Sequence, residues 1–276
     1  MGFLSPSDAF ALNYVTNSCG YLIPANLHEE WGQCVVCRGA ANPGWETCYQ
    51  CGQHQKNRVG NDLVERIGVI AYALDGNQTA LNMRAYKDPP ANDPERHMIA
   101  RQMVGYLLYL AFRFHLGCIP AGPVDAVVWV PSSTGRSPHP LHCILLKVWE
   151  LIGNQVLLPP LEGWVQRLEG ELIKTRHLDP SGVVLVAHEP KQHVLVVDDT
   201  WTTGAHLQSV GARLRQYGWE HVTGLAVARW VNHGDKQDRQ KPLVAELLKE
   251  NEIPFHDSAV SFCPFLGRDC GYGPNR

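Results

Sequence analysis

The 276-residue chain is 45% hydrophobic and 18% charged and carries a net charge of −3, a composition that suits one large globular domain with room for a small appendage. That charge gives no overall pull toward nucleic acid, and the most apolar run, residues 103 to 112, is about half of what crosses a bilayer. No basic stretch followed by an apolar one opens the sequence, so a cytoplasmic protein without a membrane partner is expected.

Residues 1–60 read as a separate small module, with little periodic hydrophobicity beyond Phe10 to Val15. Within it, Cys34-x2-Cys37 and Cys48-x2-Cys51 form two thiol knuckles separated by ten residues, with Pro43 and Gly44 placed for the turn between them. Four soft ligands at this spacing suit a tetrahedral zinc ion, which would supply folding energy that so short a segment lacks. A rubredoxin-like iron site uses the same ligand set, and two disulfides suit the cytosol poorly. The polar stretch 53–61, ending in Gly60-Asn61, sets the boundary with a second domain over 61–276.

From residue 62 strands and helices alternate. Residues 68–73 (GVIAYA) read as a strand, and Asp93-Pro94 caps a helix running to about His115. The short all-apolar strand 126–130 (AVVWV) is followed by a helix over 141–152. Strands at 183–186 and 194–197 precede a helix over 205–217, stopped by Gly218. A strand at 222–227, a polar loop at 234–241 and a helix at 242–250 complete the order. This alternation predicts an α/β domain with a twisted parallel sheet and helices on both faces.

The functional signal sits at residues 194–207 (VLVVDDTWTTGAHL). An apolar strand runs into Asp198 and Asp199, and a turn containing Thr202, Thr203 and Gly204 opens a helix at Ala205 and His206. Free amides at a helix start, with the positive end of its dipole, make a phosphate seat. Gly204 allows close approach of the backbone, and the threonines add hydroxyl donors. The carboxylates lie at the strand's carboxyl end, where α/β sheets bind ligands, and suit ribose hydroxyls. A Walker-type phosphate loop is excluded, because no G-x-x-x-x-G-K-[ST] occurs.

This stretch resembles the signature of the type I phosphoribosyltransferases: four apolar residues, two acidic ones, then T-T-G-x-T. His206 stands where that family has threonine. The resemblance implies that Asp198 and Asp199 hold the ribose 2′- and 3′-hydroxyls of phosphoribosyl pyrophosphate (PRPP), and that residues 202–206 hold its 5′-phosphate. By position, Pro131, Ser132, Ser133 and Arg136, with Thr134 between them, correspond to the family's pyrophosphate loop. Lys174 and Arg176 suit its basic lid, and Lys87 is placed to reach the same anion. Mg²⁺ would enter with PRPP, held mainly by the ligand's own oxygens. Together with the four-cysteine ribbon, the layout is similar to the ComF-like family. That family's R-G-x-N-Q element is replaced here by residues 135–141 (GRSPHPL).

The resemblance implies transfer of ribose 5-phosphate to a nitrogen acceptor, with release of pyrophosphate. Two other readings stay open: sensing of PRPP or a nucleotide without turnover, and a nucleic-acid-associated adaptor. The last is not favoured by charge, since residues 1–60 hold three Lys/Arg against four Asp/Glu. The resemblance specifies a nitrogen acceptor of no particular identity, and a homodimer is among the assemblies open to the chain. Cys263 and Cys270 in the tail are candidates to pair or to bind metal with His256. Cys19, Cys118 and Cys143 read as small packing residues.

Overall fold

The computed structural model describes residues 4–58, 62–64, 66–88, 93–132, 138–152, 164–167, 177–186, 189–234, 241–250 and 263–270. The chain folds around a five-stranded sheet of order β1-β2-β7-β6-β3. Its strands are β1 (Ile23–Pro24), β2 (Arg66–Leu74), β3 (Ala126–Trp129), β6 (His193–Trp201) and β7 (His221–Val231). The last four run parallel, while β1 adds to the β2 edge antiparallel. Two further strands, β4 (Val165–Arg167) and β5 (Val183–Leu185), form a separate antiparallel pair. The 183–186 strand of the sequence reading therefore lies outside the main sheet.

Alternation along the strands sends side chains to two cores. Val127, Trp129, Leu195, Val197, Leu225 and Val227 face one side. Ala126, Val128, Val194, Val196, Val222 and Ala226 face the other. The first core is covered by α1 (Pro6–Ser18), α3 (Gln78–Ala85), α4 (Pro94–His115) and α5 (Pro140–Ile152). The second is covered by α6 (Ala205–Tyr217) and α7 (Pro242–Glu250), and it includes the cysteines at the start of α2 (Tyr49–Asn57). Each fully buried aliphatic side chain in these layers contributes roughly 1.5–3 kcal/mol. The result is a mostly parallel sheet wrapped on both faces, which is the architecture the alternation predicts.

Local chemistry explains several helix boundaries. Asp93 accepts from the Arg96 N–H at 2.9 Å with Pro94 in the first turn, so α4 begins where the sequence places it. Helix α6 ends at Gly218, which adopts φ 113°. Helix α1 is set by Ser5 and Asp8, each side chain bonding the other's backbone N–H. Asp8 is fully buried and also accepts from Tyr109 Oη at 2.7 Å and Arg113 Nε at 3.2 Å, which ties α1 to α4. No helix among the described residues is long and apolar enough to cross a membrane.

Candidate active site

The location of the site follows from the connections. The chain leaves β3 for α5 on one face of the sheet and leaves β6 for α6 on the other. Adjacent parallel strands whose connections diverge in this way open a crevice at their carboxyl ends. Here β3 stops at Trp129, opposite Val197, while β6 continues beside β7 to Trp201. The strand thus runs four residues past the carboxyl end of its apolar run, because its main-chain pairing with β7 persists past the acidic residues.

A cavity of about 460 Å³ occupies this crevice. Pro131 and Ser132 line it from β3, and Asp198, Asp199, Thr202 and His206 line it from β6 and α6. Lys87 closes it from the end of α3. Thr203, Gly204 and Ala205 form the turn behind that wall. The structure therefore brings together seven residues that the sequence reading assigned to one ligand. Ser133, Arg136, Lys174 and Arg176 lie outside the described residues.

Gly204 adopts φ 79°, a left-handed conformation that disfavours any side chain. A Cβ there would sit 2.0 Å from the ring of Trp201, which is fully buried. The glycine is needed on both counts. No side chain caps α6 at Gly204, and the Ala205 N–H has only a long 3.4 Å bond to Thr203 Oγ1. The helix thus starts without a side-chain cap, next to Thr202 and His206 on the wall of the crevice.

Asp199 is buried, and Tyr86 Oη donates a short hydrogen bond to its Oδ2. Lys87 Nζ lies 2.8 Å from its Oδ1. The sequence reading placed Lys87 near the anion; here its ammonium meets the carboxylate on the same wall. Burial first, and then the charge of Asp199, push the Asp198 carboxyl up to about 7. Lys87 and the backbone N–H groups of Asp199 and Thr200 pull the other way. Two adjacent acids, one held by a cation and one easily protonated, suit a partner that brings hydroxyl donors or a cation.

Tyr86 was missed as a contact because 113 residues separate it from Asp199. Arg229 was missed for the same reason. It is buried, and its Nη1 donates to Trp201 O and Thr202 O, both at 3.0 Å, and to Trp230 O. The same guanidinium lies near enough to Cys37, Cys48 and Cys51 to feel their charge. A Cβ on Gly39 would strike it at 2.2 Å. One arginine thus joins the four-cysteine knuckles to the turn that opens α6.

Cys34, Cys37, Cys48 and Cys51 are all buried, with their sulfurs within 4.8 Å of one another. Cys37 Sγ and Cys48 Sγ are 3.7 Å apart. A tetrahedral ion bonded at about 2.3 Å spaces its sulfurs by about 3.8 Å, so the four fit a single metal. Hydrogen bonds from the other thiols, Cys34 first, hold Cys37 well below the ordinary thiol value, and the charge of Arg229 adds to this. Cys48 caps α2 and Cys51 sits in its first turn, while Cys34 and Cys37 lie in a tight turn closed by Arg38 N–H to Cys34 O at 2.8 Å. Arg38 is left-handed there, at φ 56°. Its buried guanidinium bonds Ala25 O at 2.8 Å and Val69 O at 3.2 Å, which offsets that strain and fastens the knuckle to β2.

Cys263 and Cys270 do come together, but with His115 and Cys118. His256, their partner in the sequence reading, lies outside the described residues. No protein-family model and no curated protein matches the chain.

Proposed function

We propose that the crevice between β3 and β6 binds PRPP with Mg²⁺, and that the protein transfers ribose 5-phosphate to a nitrogen acceptor with release of pyrophosphate. The observation that carries this reading is the joint placement of Asp198, Asp199 and the uncapped start of α6 around one cavity. The acids would accept the ribose hydroxyls, and the amides of residues 203–206 would hold the 5′-phosphate. Pro131 and Ser132 begin the wall that would face the pyrophosphate. When bound, Mg²⁺ would offset charge on the leaving group, and the chain would contribute positioning and electrostatics. Tyr86 and Trp230 bring aromatic surface to the same cavity, which suits a flat nitrogenous acceptor. Zinc is the ion we assign to Cys34, Cys37, Cys48 and Cys51, in a structural role.

Incubation with PRPP, Mg²⁺ and a panel of nitrogenous bases tests the chemistry. Base-dependent release of pyrophosphate supports transfer. Stabilisation by PRPP with no release for any base would leave a sensor of the same ligand, and absence of both effects would reject the reading.

A further inference from the structure

We infer that His115, Cys118, Cys263 and Cys270 form a second metal site, a Cys3His centre that takes a tetrahedral, borderline-soft divalent ion such as zinc. It is independent of the sugar-phosphate reading above. The four candidate donor atoms lie within 4.8 Å of one another. His115 Nδ1 is 3.4 Å from Cys270 Sγ and 4.0 Å from Cys118 Sγ. Bonds of about 2.3 Å to sulfur and about 2.0 Å to nitrogen at tetrahedral angles give S···N separations of about 3.5 Å, so both distances fall around that value. His115, Cys118 and Cys263 are buried and Cys270 is partly so. A largely buried ligand set of this kind suits a structural ion.

The surrounding backbone supports the ligands as well. Residues 263–270 form a compact turn, with Gly267 N–H donating to Cys263 O at 2.8 Å and Cys263 N–H to Arg268 O at 3.2 Å. Gly267 itself is left-handed at φ 70°.

An ion here would fasten the 263–270 segment to the end of α4, across most of the length of the sequence. That segment reaches the sheet through Val69 N–H to Pro264 O at 3.1 Å and the β1 side through Leu27 N–H to Gly267 O at 2.8 Å. Phe265 packs over Gly68, where a Cβ would meet its ring at 2.7 Å. A soft, closed Cys3His set excludes magnesium and calcium, which need oxygen ligands.

The test is native mass spectrometry of the full chain purified without chelator, joined to X-ray absorption at the zinc edge. The inference predicts two zinc ions per wild-type chain, and one in Cys263→Ser and in Cys270→Ser. Seven cysteines and one histidine shared by two ions give an average of 3.5 sulfurs and 0.5 nitrogen per zinc in the wild type. That average decides the matter even where the variants fail to fold. One zinc per chain with four sulfurs would overturn the inference, as would an intact mass lacking two hydrogens with Cys118, Cys263 or Cys270 in a disulfide.

Discussion

Asp198 and Asp199 carry most of the argument, and their surroundings differ although they are neighbours. Asp199 is ion-paired with Lys87 and hydrogen-bonded by Tyr86, whereas Asp198 is raised to about 7 by burial and by Asp199. A carboxyl with a folded pKa above its ordinary 3.8 holds more protons in the folded chain than in the unfolded one. Its contribution to stability is therefore full at low pH and is lost as pH rises from about 4 through about 7. Urea unfolding of the ligand-free protein across that range should show this decline. In D198N it should flatten, with a gain on the order of 1 kcal/mol at pH 8 from relief of buried charge. A wild-type curve with no decline attributable to this position would contradict the account of Asp198. Gly204 offers a second residue-scale test. In G204A the left-handed backbone and the clash with Trp201 should cost roughly 1–3 kcal/mol, read as a lower urea midpoint. Both residues were legible in the sequence, because an acidic pair, a hydroxyl-rich turn and a glycine fall within one short stretch. Tyr86 was not legible, since no local pattern relates it to a carboxylate 113 residues away.

Among the elements, those with strong start and stop signals were readable. The capped start of α4, the glycine turn that opens α6, the Gly218 stop and the apolar run of β3 define their elements within a residue or so. Helices α1, α2 and α3 escaped notice for a physical reason. Helices α2 and α3 are short, at 9 and 8 residues, and all three bury polar side chains, such as Asp8 in α1, His54 in α2 and Asn82 in α3, so hydrophobic period is weak. The signals for two of them were caps: Ser5 with Asp8 for α1, and Asn77, which accepts from Ala80 N–H at 2.9 Å, for α3. The β6–α6 turn has a support that no local pattern announces, namely Arg229 on β7. In R229M the carbonyls of Trp201 and Thr202 lose a buried donor. We expect a loss of about 2–3 kcal/mol in stability and roughly tenfold weaker PRPP binding, by urea unfolding and calorimetry. Unchanged ligand affinity in R229M would show that the turn does not depend on this arginine.

For the molecule as a whole, the sheet and its two cores hold three separate clusters of polar and thiol side chains. The crevice opens at the carboxyl ends of β3 and β6. The four-cysteine cluster joins the second core, and Cys118 and Cys263 join the first. The arrangement of strands into a mostly parallel sheet followed from the alternation of elements. The antiparallel entry of β1 and the pairing of β4 with β5 did not, because strand pairing depends on contacts between segments far apart in sequence. The same applies to the meeting of His115 with Cys270, 155 residues on. The most direct check of the central reading is calorimetric titration of PRPP with Mg²⁺ into the wild type and into D198N/D199N. We predict saturable binding at one site per chain in the wild type and at least about 100-fold weaker binding in the double variant, a difference of about 2.7 kcal/mol. A wild type that takes up no PRPP, or a folded double variant that binds it equally well, would contradict the account.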